Sequence, residues 1–200
     1  MPHRKDEMET NYAAEPRSWK TLSRRLVHDH GKFLKVENHV VELPDGRIID
    51  DWAWVIIQDA VIVLARTADG KFLCFHQTKY AVQGPFYAPV GGLMEAGEIP
   101  LSAAQRELRE ETGFTASNWV SLGNYALDSN RGVNTTHFFL ALDAQMTHET
   151  VKDDLEDQKL MFLSLEELES AYFEGKFKVL PLAAVISISF IHRRSLNVIP

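Results

Sequence analysis

The chain has one cysteine, Cys74, in 200 residues. A single thiol cannot close an intramolecular disulfide, and such sparing use of cysteine points to a reducing compartment. An excess of basic residues is also missing. Lys plus Arg number 21 against 28 Asp plus Glu, a net charge of -7, which excludes a passive nucleic-acid coat built on clustered cations. No apolar run approaches the ~20 residues needed to span a bilayer. The longest, Val179 to Ile191, is broken by Pro181, Ser187 and Ser189. The first twenty residues hold no apolar signal-peptide core, and neither an internal repeat nor a low-complexity segment is visible. What is left, at 45% hydrophobic and 24% charged, is a soluble, cytoplasmic globular chain with no nucleic-acid or membrane partner. Its acidity repels anionic ligands unless a cation stands between.

The punctuation of the chain divides it into three parts. Residues 1–17 mix charged and small polar residues without a period and read as a flexible tail. Residues 18–57 form a strand-bearing arm, with a Pro44-Asp45-Gly46 turn between extended runs and a β-rich segment from Ile48 to Ile57. Residues 58–200 form the core. There Ala60–Ala65 reads as a buried strand, Ala68-Asp69-Gly70 as a turn, and Lys71–Gln77 as its return. A loop rich in glycine, proline and aromatics, Gln83 to Gly92, leads into a helix. Pro100 suits the first turn, Leu101, Ala104, Leu108 and Thr112 share one face, and Gly113 stops it. Strands over Trp119–Tyr125, His137–Leu142 and Lys159–Leu163 follow, and two helices close the chain from Leu165 and Leu180. Strands mixed with helices give an α/β layered fold with a mixed sheet.

Chemistry concentrates around that first helix. Gly92-Leu93-Met94-Glu95-Ala96-Gly97-Glu98 is followed, seven residues later, by Arg106-Glu107-Leu108-Arg109-Glu110-Glu111-Thr112-Gly113-Phe114. At ~100° per residue, Glu107 and Glu111 project within about 40° of each other, with Glu110 beside them. The apolar residues are expected on a different side, against the sheet. A charge run of this kind is most often a solvated, salt-bridged surface, and Arg106 and Arg109 can offset part of the repulsion. Clustered carboxylates are also the hard oxygen donors that Mg²⁺ or Mn²⁺ prefers.

The whole pattern, Gly-x5-Glu-x7-Arg-Glu-aliphatic-x-Glu-Glu-x-Gly-apolar, resembles the signature of the Nudix hydrolases at every specified position from Gly92 to Phe114. The resemblance implies an α/β/α sandwich with a mixed sheet and the loop–helix–loop motif at its active site. It further implies divalent-metal-dependent hydrolysis of a nucleoside diphosphate linked to another group, with Mg²⁺ as cofactor and Mn²⁺ as its substitute. By position, Glu107, Glu110 and Glu111 are metal ligands, joined by the backbone carbonyl of Gly91. Glu110 and Glu111 also count as catalytic, while Gly92, Glu98, Arg106 and Gly113 shape the motif. Such a metal would answer the charge problem, since cations recruited by the carboxylates would recruit an anionic substrate.

Beyond the motif, Leu43-Pro44-Asp45-Gly46-Arg47 and Phe75-His76-Gln77-Thr78-Lys79-Tyr80 resemble the ADP-ribose and nucleoside-diphosphate-sugar pyrophosphatases. In that group N-terminal strands exchange between two subunits, so the arm implies a homodimer. Lys79 falls where relatives place a basic residue close to the diphosphate, and Trp52 and Trp54 near the position of an aromatic that stacks on the nucleobase. Arg131, in a glycine-containing loop, is a candidate for a phosphate or sugar group. Glu156, in the acidic run Asp153–Gln158, is the candidate general base. Ser129 stands where ADP-ribose pyrophosphatases typically carry proline, and the acidic residue before Pro89-Val90-Gly91 is absent. NADH, a GDP-sugar or a nucleoside triphosphate therefore remain alternative substrates, and a nucleotide-sensing domain without catalysis an alternative function.

Overall fold

The computed structural model describes residues 17–148 and 158–196. The arm supplies β1 (Lys20–Asp29), β2 (Lys35–Glu42) and β3 (Ile48–Ile56), an antiparallel meander. The turn at Asp45 and Gly46 closes with the Leu43 N–H on the Arg47 carbonyl at 2.9 Å. The core continues with β4 (Ala60–Thr67), β5 (Phe72–Gln77), β6 (Phe86–Ala88), β7 (Val90–Leu93) and α1 (Pro100–Thr112). Then come β8 (Phe114–Thr115), β9 (Asn118–Asp128), β10 (Gly132–Met146), β11 (Gln158–Leu163), α2 (Leu165–Phe173) and α3 (Leu180–Leu196). Among the described residues, the main strand order is β1-β2-β3-β10-β4-β5-β11.

The mixed character of the sheet rests on β10, which runs parallel to β3 and β4 and antiparallel to β9. Alternation along the central strands sends side chains to two cores, as a pleat of period two requires. Val61, Val63, Leu73, Phe75, Phe139 and Ala141 face α1, with its Ala103, Ala104 and Leu108. Ile62, Leu64, Phe72, Cys74, Phe138 and Leu140 face the opposite layer, with Leu168 of α2 and Val185 and Ile186 of α3. The α/β/α sandwich follows from this division. Cys74 is fully buried there, and burial pushes its thiol up to about 12. Among the described residues no helix is long and apolar enough to cross a membrane.

Two sequence expectations need correction. The segment Gln83–Gly92 is not simply a loop, because β6 pairs with β5 and β7 with β4. After the short β4–β5 pairing at Ala65 and Arg66, the two strands diverge. Each then takes a short strand as neighbour to satisfy its buried backbone groups. The buried face of α1 also differs from the expected one. Leu101, in the first turn, is 38% exposed, while Ala103 and Glu107 join Ala104, Leu108 and Thr112 inside. Of the carboxylates, Glu107 therefore lies on the packing face, while Glu110 stays exposed and Glu111 half-buried.

Candidate active site

Helix α1 begins at Pro100, whose missing N–H costs nothing at that position. It ends at Gly113, which adopts a left-handed φ of 75° and donates its N–H to the Arg109 carbonyl. The motif loop between β7 and α1 is tied to both elements by Arg106. Its Nε donates to Glu98 Oε1 and its Nη2 to Glu98 Oε2, each at 3.0 Å, and Nη2 also donates to the Leu93 carbonyl at 3.0 Å. Nη1 reaches Glu107 Oε1 at 2.7 Å and Glu110 Oε2 at 3.3 Å. Glu98 Oε2 further accepts the Glu95 N–H at 2.9 Å. A planar five-donor fork is suited to such a junction. The Arg106 guanidinium holds the Glu98 carboxyl below its usual range, and Glu98 first among its partners pushes the Arg106 pKa up.

Glu107 is the buried member of the carboxylates, at 8% exposure. Burial pushes its carboxyl above its ordinary value against the lowering pull of Arg106, with Glu110 and Glu98 adding repulsion. It sits against β7, where a Cβ on Gly92 would fall within the Glu107 carboxyl group itself. Gly91 is similarly confined, since a Cβ there would lie 2.8 Å from the Val61 carbonyl oxygen. Glu111 lies half-buried one turn after Glu107, and Glu110 is exposed beside Arg106 and Arg109. The donor set suits a divalent cation: a desolvated carboxylate held by an arginine, more carboxylates one turn away, and glycine backbone opposite. Among the described residues no three His, Cys, Asp or Glu side chains are gathered where together they could hold a metal ion. Arg106 instead draws Glu107 and Glu110 to itself.

Two clefts flank the end of β3. One, of about 520 Å³, is lined by Gly31, Lys32, Lys35, residues 56–59 and residues 94–98, so the arm and the motif loop face each other across it. The other, of about 400 Å³, is lined by Trp54, residues 55–57, Asp59, Ala126, Asp128, Ser129 and residues 132–135. Ile56, Ile57 and Asp59 line both. The four candidate substrate contacts fall unevenly around them. Trp54 walls the smaller cleft, stacked on His39 at 5.2 Å. Trp52 lines neither; its indole N–H donates to the Asn130 carbonyl at 2.7 Å and its ring meets Trp19 edge-on. Lys79, after β5, and Arg131, at the β9–β10 turn, are exposed and line neither. Glu156 lies outside the described residues.

Lys32, Lys35, Asp59 and Asn134 escaped the sequence reading. Asp59 Oδ1 accepts the Thr135 N–H at 2.7 Å, and Asn134 donates to the Gln58 carbonyl at 3.0 Å. No local pattern marks them: Asp59 and Asn134 meet through the long-range pairing of β10 beside β4, and Lys35 is set beside Ile56 by the pairing of β2 with β3.

The family model for the NUDIX domain matches residues 56–183, which includes this whole motif. The chain belongs to the Nudix family. A second model, described as the nucleoside diphosphate sugar hydrolase N-terminal domain, matches residues 19–55 of this Nudix pyrophosphohydrolase. ADP-ribose pyrophosphatase of Bacillus subtilis (strain 168) is 30% identical over 149 residues, covering 74% of the chain and 80% of the relative. A CMP-5'-(N-acetyl-N-hydroxy-3-aminopropyl)phosphonate hydrolase of Streptomyces rubellomurinus is 26% identical, covering 79% and 75%. Among solved structures, an ADP compounds hydrolase superposes with a TM-score of 0.73 at 16% identity, covering 92% of this chain and 98% of that one. That likeness speaks to the Nudix fold.

Proposed function

We propose that this Nudix hydrolase cleaves the pyrophosphate bond of ADP-ribose or a related nucleoside diphosphate sugar, using Mg²⁺ or Mn²⁺. The products are a nucleoside monophosphate and a phosphorylated sugar. The observation that carries the reading is Glu107, a desolvated carboxylate seated on Gly92 and held by the Arg106–Glu98 lock. The substrate class is supported by the relative named ADP-ribose pyrophosphatase and by the match of the arm to the N-terminal domain of nucleoside diphosphate sugar hydrolases.

Glu107, Glu110, Glu111 and the Gly91 carbonyl would hold the cation. When bound there, it would neutralise phosphoryl oxygens and lower the pKa of a coordinated water. The chain's own groups do the rest. Arg106 fixes Glu107 and the motif loop, so the carboxylates keep one spacing. Glu156, in its acidic run, takes the proton from the attacking water. The water oxygen bonds to one phosphorus as the bridging P–O bond breaks, and the bridging oxygen leaves with its electron pair on the other phosphate. Trp54, Lys79 and Arg131 are assigned to the base, diphosphate and sugar ends.

The arm is proposed to pair two copies. All ten residues of β1 are exposed, and Trp19, Leu22, Leu26 and Val27 among them or next to them are apolar, a surface that ordinarily finds a partner. Sedimentation of the Leu22→Lys, Leu26→Lys double variant tests this: a monomer is expected, and an unchanged dimer refutes it.

For the reaction, wild type and Glu111→Gln are compared on ADP-ribose, other nucleoside diphosphate sugars, NADH and nucleoside triphosphates with Mg²⁺. Turnover of ADP-ribose that the variant loses is expected. Unchanged turnover in Glu111→Gln overturns the metal assignment, and binding without cleavage of any compound overturns the hydrolase reading.

A further inference from the structure

We infer that Lys32, in the turn between β1 and β2, and Lys35, the first residue of β2, bind anionic oxygens of the substrate and set its affinity. This rests on the hydrolase reading above and deepens it. Both lysines line the 520 Å³ cleft whose other wall is the motif loop, Met94 to Glu98. The walls differ in sign. The arm contributes two ammonium groups, the motif loop Glu95 and Glu98, and the link between β3 and β4 Asp59. Glu98 is offset by Arg106, and Asp59 is engaged by the Thr135 N–H. A nucleoside diphosphate bound at the motif helix would present phosphoryl oxygens across this cleft to the two lysines.

The turn that places them is built to hold that position. Asp29 Oδ1 accepts the Gly31 N–H at 2.8 Å, and Gly31 adopts a left-handed φ of 62°. The His30 N–H donates to the Leu34 carbonyl at 2.7 Å, which closes the loop. Asp29 Oδ2 also meets Lys35 Nζ at 3.4 Å, an exposed pair that water screens and a phosphate can displace. Lys32 rests over the Phe33 ring, 5.3 Å from its centroid, and is in no ion pair among the described residues. A lysine held by an aromatic face keeps its charge available to an incoming anion, acting as the point charge that suits phosphate.

The role is one of binding, so it predicts a split between KM and kcat. In the Lys32→Met, Lys35→Met double variant, KM for ADP-ribose is expected to rise about tenfold, with kcat within about twofold and a shallower dependence of KM on salt. Lys32→Arg, Lys35→Arg should restore most of the affinity, because charge rather than shape is required. Lys20→Met, which removes one lysine paired with Glu42 on the same arm, is a control for the arm's charge and should leave KM unchanged. Calorimetric binding of ADP without added metal gives a readout independent of turnover, with weaker binding expected in the double variant. An unchanged KM and unchanged ADP binding overturn the inference. An equal KM rise in Lys20→Met also overturns it, since net charge alone would then be responsible. A wild type that binds ADP through these lysines but cleaves nothing defeats the hydrolase reading instead.

Discussion

The carboxyl group of Glu107 occupies the space a side chain on Gly92 would fill. The obstacle is the far end of a flexible side chain, which can swing away cheaply, so the fold should tolerate a methyl group there. Catalysis should not. Gly92→Ala is expected to keep its Tm within a few degrees of wild type while kcat falls about a hundredfold, the scale associated with ångström misplacement of a reacting group. Thermal denaturation and steady-state kinetics on one preparation decide it. Retained activity would show that Glu107 need not sit on Gly92.

Glu107 also trades stability for binding. Its carboxylate is desolvated and repelled by Glu110 and Glu98, with Arg106 offsetting part of the cost. Glu107→Gln keeps the shape and one acceptor but removes the charge. Without divalent cation the variant is expected to melt at the wild-type temperature or higher. With Mg²⁺ the wild type should gain stability, ~2.7 kcal/mol at a hundredfold excess over Kd, and the variant should gain little. Differential scanning calorimetry with and without Mg²⁺ reads both effects. A variant several degrees less stable without metal would mean that Arg106 outweighs the burial of Glu107.

The motif helix was legible from the sequence because its signals are local. Pro100 and Gly113 bracket it, and the Arg106–Glu98 lock joins residues only eight apart. The central strands were legible from their apolar runs. The burial of Glu107 was not, because helical spacing places it beside Ala103 and Ala104 but does not reveal that β7 meets that face with two glycines. Strands β6 and β7 hid in a stretch that reads as turn chemistry, and only the divergence of β4 and β5 makes them strands. Trp54 was visible as a candidate base-stacking aromatic, yet its contacts with His39 and Gly132 depend on the pairing of β2 with β3 and of β3 with β10.

Cys74 gives a pH prediction whose sign follows from burial. Its thiol ordinarily ionises near 9.0 and is pushed up to about 12 in the fold. Between those values the folded state keeps a proton that the unfolded state releases, so stability falls as pH rises through this window. Below 9.0 the group contributes nothing to the slope. Relative to Cys74→Ala, the wild type is expected to lose up to about 1.4 kcal/mol more per pH unit inside the window, read from urea unfolding at several alkaline pH values. A thiol reagent at neutral pH should leave the folded protein unmodified and label it on unfolding. Parallel stability curves for the two proteins would show that the thiol ionises without opening the core.

The hairpin between β9 and β10 is locked to the arm at Gly132, and two costs can be separated there. Gly132 has a φ of 74°, and a Cβ on it would fall on the Trp54 ring. Gly46 has a φ of 87° with nothing within 4 Å, so Gly46→Ala should report the left-handed backbone alone, about 1–2 kcal/mol. Gly132→Ala should cost distinctly more, because a rigid indole stacked on His39 cannot retreat as a carboxylate can. Its excess should vanish in a Trp54→Ala background, where the ring is gone and only the φ penalty remains. A double-mutant cycle by chemical denaturation measures that coupling directly. If Gly132→Ala costs the same with and without Trp54, the indole does not fix the hairpin and the lock lies in the backbone pairing of β3 with β10.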